Sequence, residues 1–202
     1  MTAEDEVLEA LRRHRIVAIV RAPDAGTALR RARDLLAAGL RVVEISLTTP
    51  GAWTAIESLA EECAGRDDVT IGVGTVLSPA DAARAAAAGA RFVIAPTLDR
   101  SVIAAARDGG LAAIPGCATP TEMWRATRWG ATAVKIFPAT LWTPRALAGV
   151  LEALPDLRCV PTGGIGPDDV DTWVAAGALA VGIGSALTRP AVSDPSRPEP
   201  PR

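Results

Sequence analysis

Lys135 is the single lysine of this chain; the other twenty of its 21 basic residues are arginine. It lies in Ala133-Val134-Lys135-Ile136-Phe137-Pro138, an apolar, β-favouring stretch that predicts a buried strand rather than a charged helix face. An ammonium group is costly there without a partner or a task. If the task is nucleophilic, arginine cannot replace it: a guanidinium stays protonated, whereas a buried amine can lose its proton and condense with a carbonyl. The alternative is a structural ion pair, and Glu44, in the apolar run Val42-Val43-Glu44-Ile45-Ser46, is the carboxylate that could supply it.

Other chemistries are restricted by composition. His14 is the only histidine and stands between arginines at the polar end of a first helix, where a surface position is expected. A Ser-His-Asp triad would have to use it, and a multi-histidine metal site cannot be built. Cys63, Cys117 and Cys159 lack CxxC spacing and read as reduced, mostly buried thiols. Gly72-Val73-Gly74 has no third glycine of a dinucleotide fingerprint, and no cofactor is expected. A formal net charge of −2 gives no sign of nucleic-acid or membrane partners. The acidic Met1-Thr2-Ala3-Glu4-Asp5-Glu6 is unlike a secretion signal, so a cytoplasmic protein is expected.

These residues are positioned by a repeated phrase: an alanine-rich helical pattern, a glycine or turn, then a short apolar run. Gly39, Gly65, Gly89, Gly110, Gly130, Pro155 and Gly177 mark the turns at roughly 20 to 26 residues, one strand plus one helix per unit. Ser78-Pro79-Ala80-Asp81 and Thr119-Pro120-Thr121-Glu122 each place a hydroxyl at N-cap, proline at N1 and an acid at N3. Eight strands follow: 16–20, 42–46, 70–73, 92–95, 112–115, 133–137, 158–161 and 180–183. An N-terminal helix over about residues 3–13 precedes them and seven helices separate them. The pattern predicts a single (β/α)8 TIM barrel with an extra N-terminal helix; a doubly wound open sheet is the rival. Residues 1–188 form the barrel domain in this reading. Prolines recur through 189–202, predicting a disordered tail and a missing or truncated eighth helix.

Strand alternation places Ala133, Lys135 and Phe137 on one face and Val134 and Ile136 on the other; Val42, Glu44 and Ser46 likewise oppose Val43 and Ile45. With the β-branched residues against the helices, Lys135 and Glu44 both point into the barrel. Thr162-Gly163-Gly164 and Gly184-Ser185 end strands seven and eight, the usual phosphate-binding place of such barrels. Trp53, Trp124, Trp129 and Trp173 fall in helical patterns and are expected to be packing residues.

Five ordered motifs carry a family resemblance: 43–50 (VEISLTTP), 71–76 (IGVGTV), 115–122 (PGCATPTE), 134–139 (VKIFPA) and 160–165 (VPTGGI). Over about residues 5–188 the chain resembles the bifunctional 2-keto-3-deoxy-6-phosphogluconate / 4-hydroxy-2-oxoglutarate aldolases. The resemblance implies a metal-independent class I aldolase, usually a homotrimer, that takes a phosphorylated 2-oxo sugar acid and releases pyruvate. It makes Lys135 the Schiff-base lysine and Glu44 the general acid/base. Arg21 and Thr75 would hold the pyruvate carboxylate, and Pro96 and Phe137 would form the apolar wall. Thr162, Gly163, Gly164, Gly184 and Ser185 would take the phosphate. Three positions depart from the common pattern. Thr48 stands where some members have arginine, resembling the subgroup that uses Arg21 instead; Thr140 replaces a glutamate found in many members; and the bulky Trp142 follows Leu141. The rival readings are the galactonate-epimer aldolase, a phosphate-binding barrel isomerase, and a barrel that only binds sugar phosphates.

Overall fold

The computed structural model describes residues 2–188. Helix α1 (Ala3–His14) opens the chain, its first turn closed by a capping box between Thr2 and Asp5. Then come β1 (Ile16–Val20), α2 (Ala25–Ala37), β2 (Val42–Ser46), α3 (Ala52–Glu62), β3 (Thr70–Gly74), α4 (Pro79–Ala87), β4 (Phe92–Ile94) and α5 (Arg100–Asp108). The second half contains β5 (Ala112–Ile114), β6 (Gly116–Cys117), α6 (Pro120–Arg128), β7 (Val134–Ile136), α7 (Pro144–Ala153), β8 (Cys159–Pro161), α8 (Val170–Ala175), β9 (Val181–Ile183) and α9 (Ser185–Thr188). Both expected proline-marked helix starts are present: Ser78 accepts from the Asp81 N–H, and Thr119 forms a capping box with Glu122.

All strand pairs are parallel. β5-β4-β3-β2-β1-β9 form one sheet and β6-β7-β8 another. The two meet where β5 runs through Pro115 into β6, and again at the bridge between Thr162 and Gly182. The result is a closed TIM-like ring, not an open doubly wound sheet. The expected fifth strand, 112–115, is split because Pro115 has no N–H for the ladder. Its carbonyl still accepts from Lys135 N–H at 2.8 Å, the Ala113 carbonyl accepts from Thr132 N–H at 2.9 Å, and Gly116 N–H donates to the Thr97 carbonyl at 3.1 Å, so the chain stays bonded to both neighbours across the break. The expected sixth strand, 133–137, is shortened to Val134–Ile136.

Alternation sorts the strand residues as the sequence predicts. Val43, Ile45, Val73 and Val93 pack outward on α2 to α5, and Cys117, Val134, Ile136 and Cys159 outward on α6 to α8. An inner cluster joins Val17, Val42, Phe92, Ile94, Ile114 and Val160 to Val7 and Leu11 of α1. The N-terminal helix therefore plugs one mouth of the barrel, each of those two side chains contributing about 1.5–3 kcal/mol of apolar burial. Phe92 fits inside because its neighbour on β3 is Gly72, where a Cβ would lie 2.3 Å from the ring.

Trp124 departs from expectation: it is 50% exposed on the outer face of α6, with the Arg128 guanidinium 5.9 Å from its ring. Trp173 is buried, while Trp53 and Trp129 pack at the edge of the outer core. His14 is half-buried rather than a free surface residue. The expected tail, 189–202, and the course of the chain after Thr188 lie outside the described residues. Among the described residues no helix is long and apolar enough to cross a membrane.

Candidate active site

The loops following the parallel strands open on the mouth opposite α1, and the expected site residues, from Arg21 after β1 to Ser185 after β9, lie on those strands or the loops that follow them. Lys135, in the middle of β7, is 7% exposed and points inward. Its Nζ stands 4.7 Å from the centroid of the Phe137 ring, two residues on along the same face. Glu44 is 2% exposed on β2, and its Oε2 is enclosed without a hydrogen-bond partner. A buried carboxylate oxygen left in that state is unusual in a folded chain. The carboxylate fits because β3 carries Gly74 beside it; a Cβ there would come within 2.5 Å of Glu44 Oε1.

No hydrogen bond or close ion pair joins Lys135 to Glu44 among the described residues, yet each lies in the other's field. Burial pushes the Glu44 carboxyl up from its ordinary value, against the opposing charges of Lys135 and Arg21. Burial pulls the Lys135 amine down, Arg21 adds to that, and Glu44 opposes it. Both groups are thereby biased toward their neutral forms, which suits an amine that must attack and a carboxyl that must exchange protons. Cys117 and Cys159 are held inert by contrast. Both face the helices, and burial pushes each thiol up to about 12.

Arg21, following β1, donates from Nε to Thr48 Oγ1 at 3.0 Å. Its own carbonyl is held by Arg31, which donates at 2.7 Å. Thr75, after β3, has φ 63°, a left-handed backbone that costs a β-branched residue on the order of 1–3 kcal/mol. Its Oγ1 lies 2.9 Å from Ser46 Oγ, and Ser46 Oγ lies 2.8 Å from Thr48 Oγ1. Ser46 is the residue that sequence reasoning passed over. Alternation placed it on the face of Glu44 at the end of the strand, and that was the only available signal.

Pro96 follows β4, its carbonyl pressed so closely on Gly116 that a Cβ there would lie 2.3 Å away. Gly116 in turn pairs with Lys135. Gly163 and Gly164 adopt φ 100° and 76°, and a Cβ on Gly164 would meet Thr140 Cγ2 at 2.5 Å. Thr162 lies buried beneath them, its hydroxyl donating to the Val160 carbonyl at 3.2 Å. Gly184 and Ser185 follow β9, the strand bridged to Thr162. Leu141 is 74% exposed at this rim, whereas Trp142 packs back against the outer apolar layer.

A cavity of ≈ 560 Å³ lies elsewhere, between α1 and the segment before β3, and is walled by His14, Cys63, Arg66 and Asp68 among others. It contains none of the residues above. No group of three or more His, Cys, Asp or Glu side chains able to hold a metal ion occurs among the described residues.

Residues 7–195 match the model of the family described as KDPG and KHG aldolase. A curated relative from Treponema pallidum, named 2-dehydro-3-deoxy-phosphogluconate aldolase, is 38% identical over 84% of this chain and 80% of its own. An Escherichia coli K12 relative, named 2-dehydro-3-deoxy-6-phosphogalactonate aldolase, is 34% identical over 86% of this chain and 84% of its own. The solved KDPG aldolase of Legionella pneumophila, in which pyruvate was captured as a covalent carbinolamine, superposes with a TM-score of 0.80 at 28% identity, over 91% of this chain and 88% of its own. A barrel with these sequence relations across most of its length belongs to the KDPG and KHG aldolase family, and the protein is a lyase.

Proposed function

We propose that the protein cleaves 2-keto-3-deoxy-6-phosphogluconate to pyruvate and glyceraldehyde 3-phosphate through a Schiff base on Lys135. The observation that carries this reading is the chain's one lysine, buried inside the barrel with its amine biased toward the neutral form and facing a carboxylate whose Oε2 has no partner. In this mechanism Lys135 Nζ attacks the C2 ketone, and the resulting carbinolamine loses water to give an iminium. The iminium accepts the electrons of the C3–C4 bond as the C4 hydroxyl loses its proton. Glyceraldehyde 3-phosphate leaves, the enamine is protonated at C3, and water releases pyruvate. Glu44 moves the protons of these steps, directly or through a water molecule.

Arg21 and Thr75 hold the carboxylate of the 2-oxo acid, and Phe137 and Pro96 form the wall beside the reacting carbons. The phosphate rests on Gly163, Gly164, Gly184 and Ser185, with Thr162 supporting the cradle from below. Positive φ at both members of the diglycine supports this placement, since a backbone of that kind can turn its N–H groups toward an anion. The shorter 4-hydroxy-2-oxoglutarate, which yields pyruvate and glyoxylate, fits the same chemistry without the phosphate contacts. A cytoplasmic homotrimer is proposed from the family resemblance.

Incubation with pyruvate, reduction with borohydride and mapping by mass spectrometry test the reading. The expected product is a reduced pyruvate adduct on Lys135. An unmodified Lys135 would overturn the aldolase mechanism in favour of an isomerase or a binding barrel. Turnover of the two epimeric phosphorylated acids and of 4-hydroxy-2-oxoglutarate ranks the substrates; faster cleavage of the galactonate epimer would reassign the preferred one.

A further inference from the structure

Four side chains at the barrel mouth form one continuous chain: Arg21 Nε to Thr48 Oγ1 at 3.0 Å, Thr48 Oγ1 to Ser46 Oγ at 2.8 Å, and Ser46 Oγ to Thr75 Oγ1 at 2.9 Å. The hydroxyl–hydroxyl links could run either way. One end is not symmetric. A guanidinium only donates, so Thr48 Oγ1 must accept there. Its positive charge also orients each following hydroxyl dipole with the oxygen toward Arg21 and the hydrogen away. Thr48 N–H approaches Ser46 Oγ at 3.4 Å, adding a second donor dipole on the same side of that oxygen. Ser46 is thereby left to spend its one hydrogen on Thr75, and Thr75 is left with its own.

We infer that Ser46 and Thr48 are positioning residues that polarise this chain, so that Thr75 presents its hydroxyl hydrogen, and not a lone pair, to the carboxylate of the 2-oxo acid. The inference rests on the aldolase reading above and extends it. Arg21 then acts on the carboxylate through the relay as well as by its own charge, and the three hydroxyls strengthen one another as bonds in series do. The arrangement also accounts for the φ of 63° at Thr75: the strained backbone brings Oγ1 back to Ser46, which lies 29 residues away in the chain. Ser46 is wholly enclosed, so no solvent molecule can substitute for its hydroxyl.

The test compares pyruvate with methyl pyruvate, its ester, which keeps the ketone and lacks the anionic carboxylate, as substrates for borohydride trapping at Lys135. Thr48→Val keeps the shape of an exposed side chain and breaks the relay; Ser46→Ala breaks it at the centre; Thr48→Ser keeps it. For Thr48→Val and Ser46→Ala the half-saturating pyruvate concentration is expected to rise about tenfold, the usual weight of one hydrogen bond to a charged group. The maximal trapping rate, and half-saturation by methyl pyruvate, should stay at wild-type values, and Thr48→Ser should behave as wild type. In turnover the same variants should raise KM and leave kcat unchanged. Unaltered pyruvate saturation in Thr48→Val, or an equal loss with methyl pyruvate, would overturn the relay. Failure of the aldolase reading looks different: wild type itself would then form no adduct with either ketone, and the relay would fall with it.

Discussion

The two mouths of the barrel are made by the same strands and treat their polar groups in opposite ways. At the mouth closed by α1, Glu4 accepts from the buried Thr132 hydroxyl at 3.0 Å, Glu6 pairs with Arg91, and Asp68 is shared by Arg41 and Arg66 at 3.0 Å each. Val7 and Leu11 fill the space between. At the opposite mouth, Glu44 Oε2 is enclosed and unpartnered, Thr75 sits in a left-handed backbone, and glycines stand where a Cβ would strike Glu44 or Thr140. The first arrangement holds the ring closed. The second brings strained and unsatisfied groups together, a combination that clusters where binding or chemistry uses it.

Substitutions at the two mouths should therefore separate stability from activity. The largest effect is expected for Lys135→Met, with turnover reduced by at least about 10³-fold and the pyruvate adduct lost. Because a buried amine is removed, the denaturation midpoint should be at or above that of wild type. A clearly lower midpoint would mean that Lys135 and Glu44 serve chiefly as a structural pair. Leu11→Ala should show the reverse, losing about 3 kcal/mol in a urea titration while kcat per folded molecule is kept. A fall in kcat with full folding would show that the plug also shapes the active mouth.

Gly74→Ala lies between these cases. Its Cβ would displace the Glu44 carboxylate, and turnover should fall by about 10²-fold, as for a misplaced catalytic group, with adduct formation at Lys135 preserved. Loss of the adduct too would place the damage at Lys135. The smallest effect concerns pH. Burial already lowers Lys135, and the charge of Glu44 acts against it. Glu44→Gln removes that charge, so less stabilisation remains for the ammonium and the free amine persists to lower pH. The rising limb of adduct formation should move toward acid. A shift toward alkali would show that Glu44 acts on Lys135 through something other than its charge.

Much of the candidate site is legible in the sequence, because it depends on local periods. The two-residue alternation of a strand turns Lys135 and Glu44 inward, and the spacing of turn residues separates eight strands. Hydroxyl, proline and acid mark the starts of α4 and α6. Pro115 is visible as a residue but not as the break in the fifth strand, since that depends on which neighbour would have used its missing N–H. Trp124 looked like a core residue because helical spacing alone does not show which face of α6 is covered.

Which residues could do chemistry, and on which face of their strand they lie, follows from the order of the amino acids, because side-chain direction along a strand is set by the backbone alone. How those residues meet depends on the closed ring. The contact of Arg21 with Thr48 spans 27 residues and that of Ser46 with Thr75 spans 29. The plug of α1, the Glu44 oxygen without a partner and the left-handed Thr75 are likewise products of ring closure. A strand carries its own periodicity, but the register and curvature that bring neighbouring strand ends together exist only once the ring has formed.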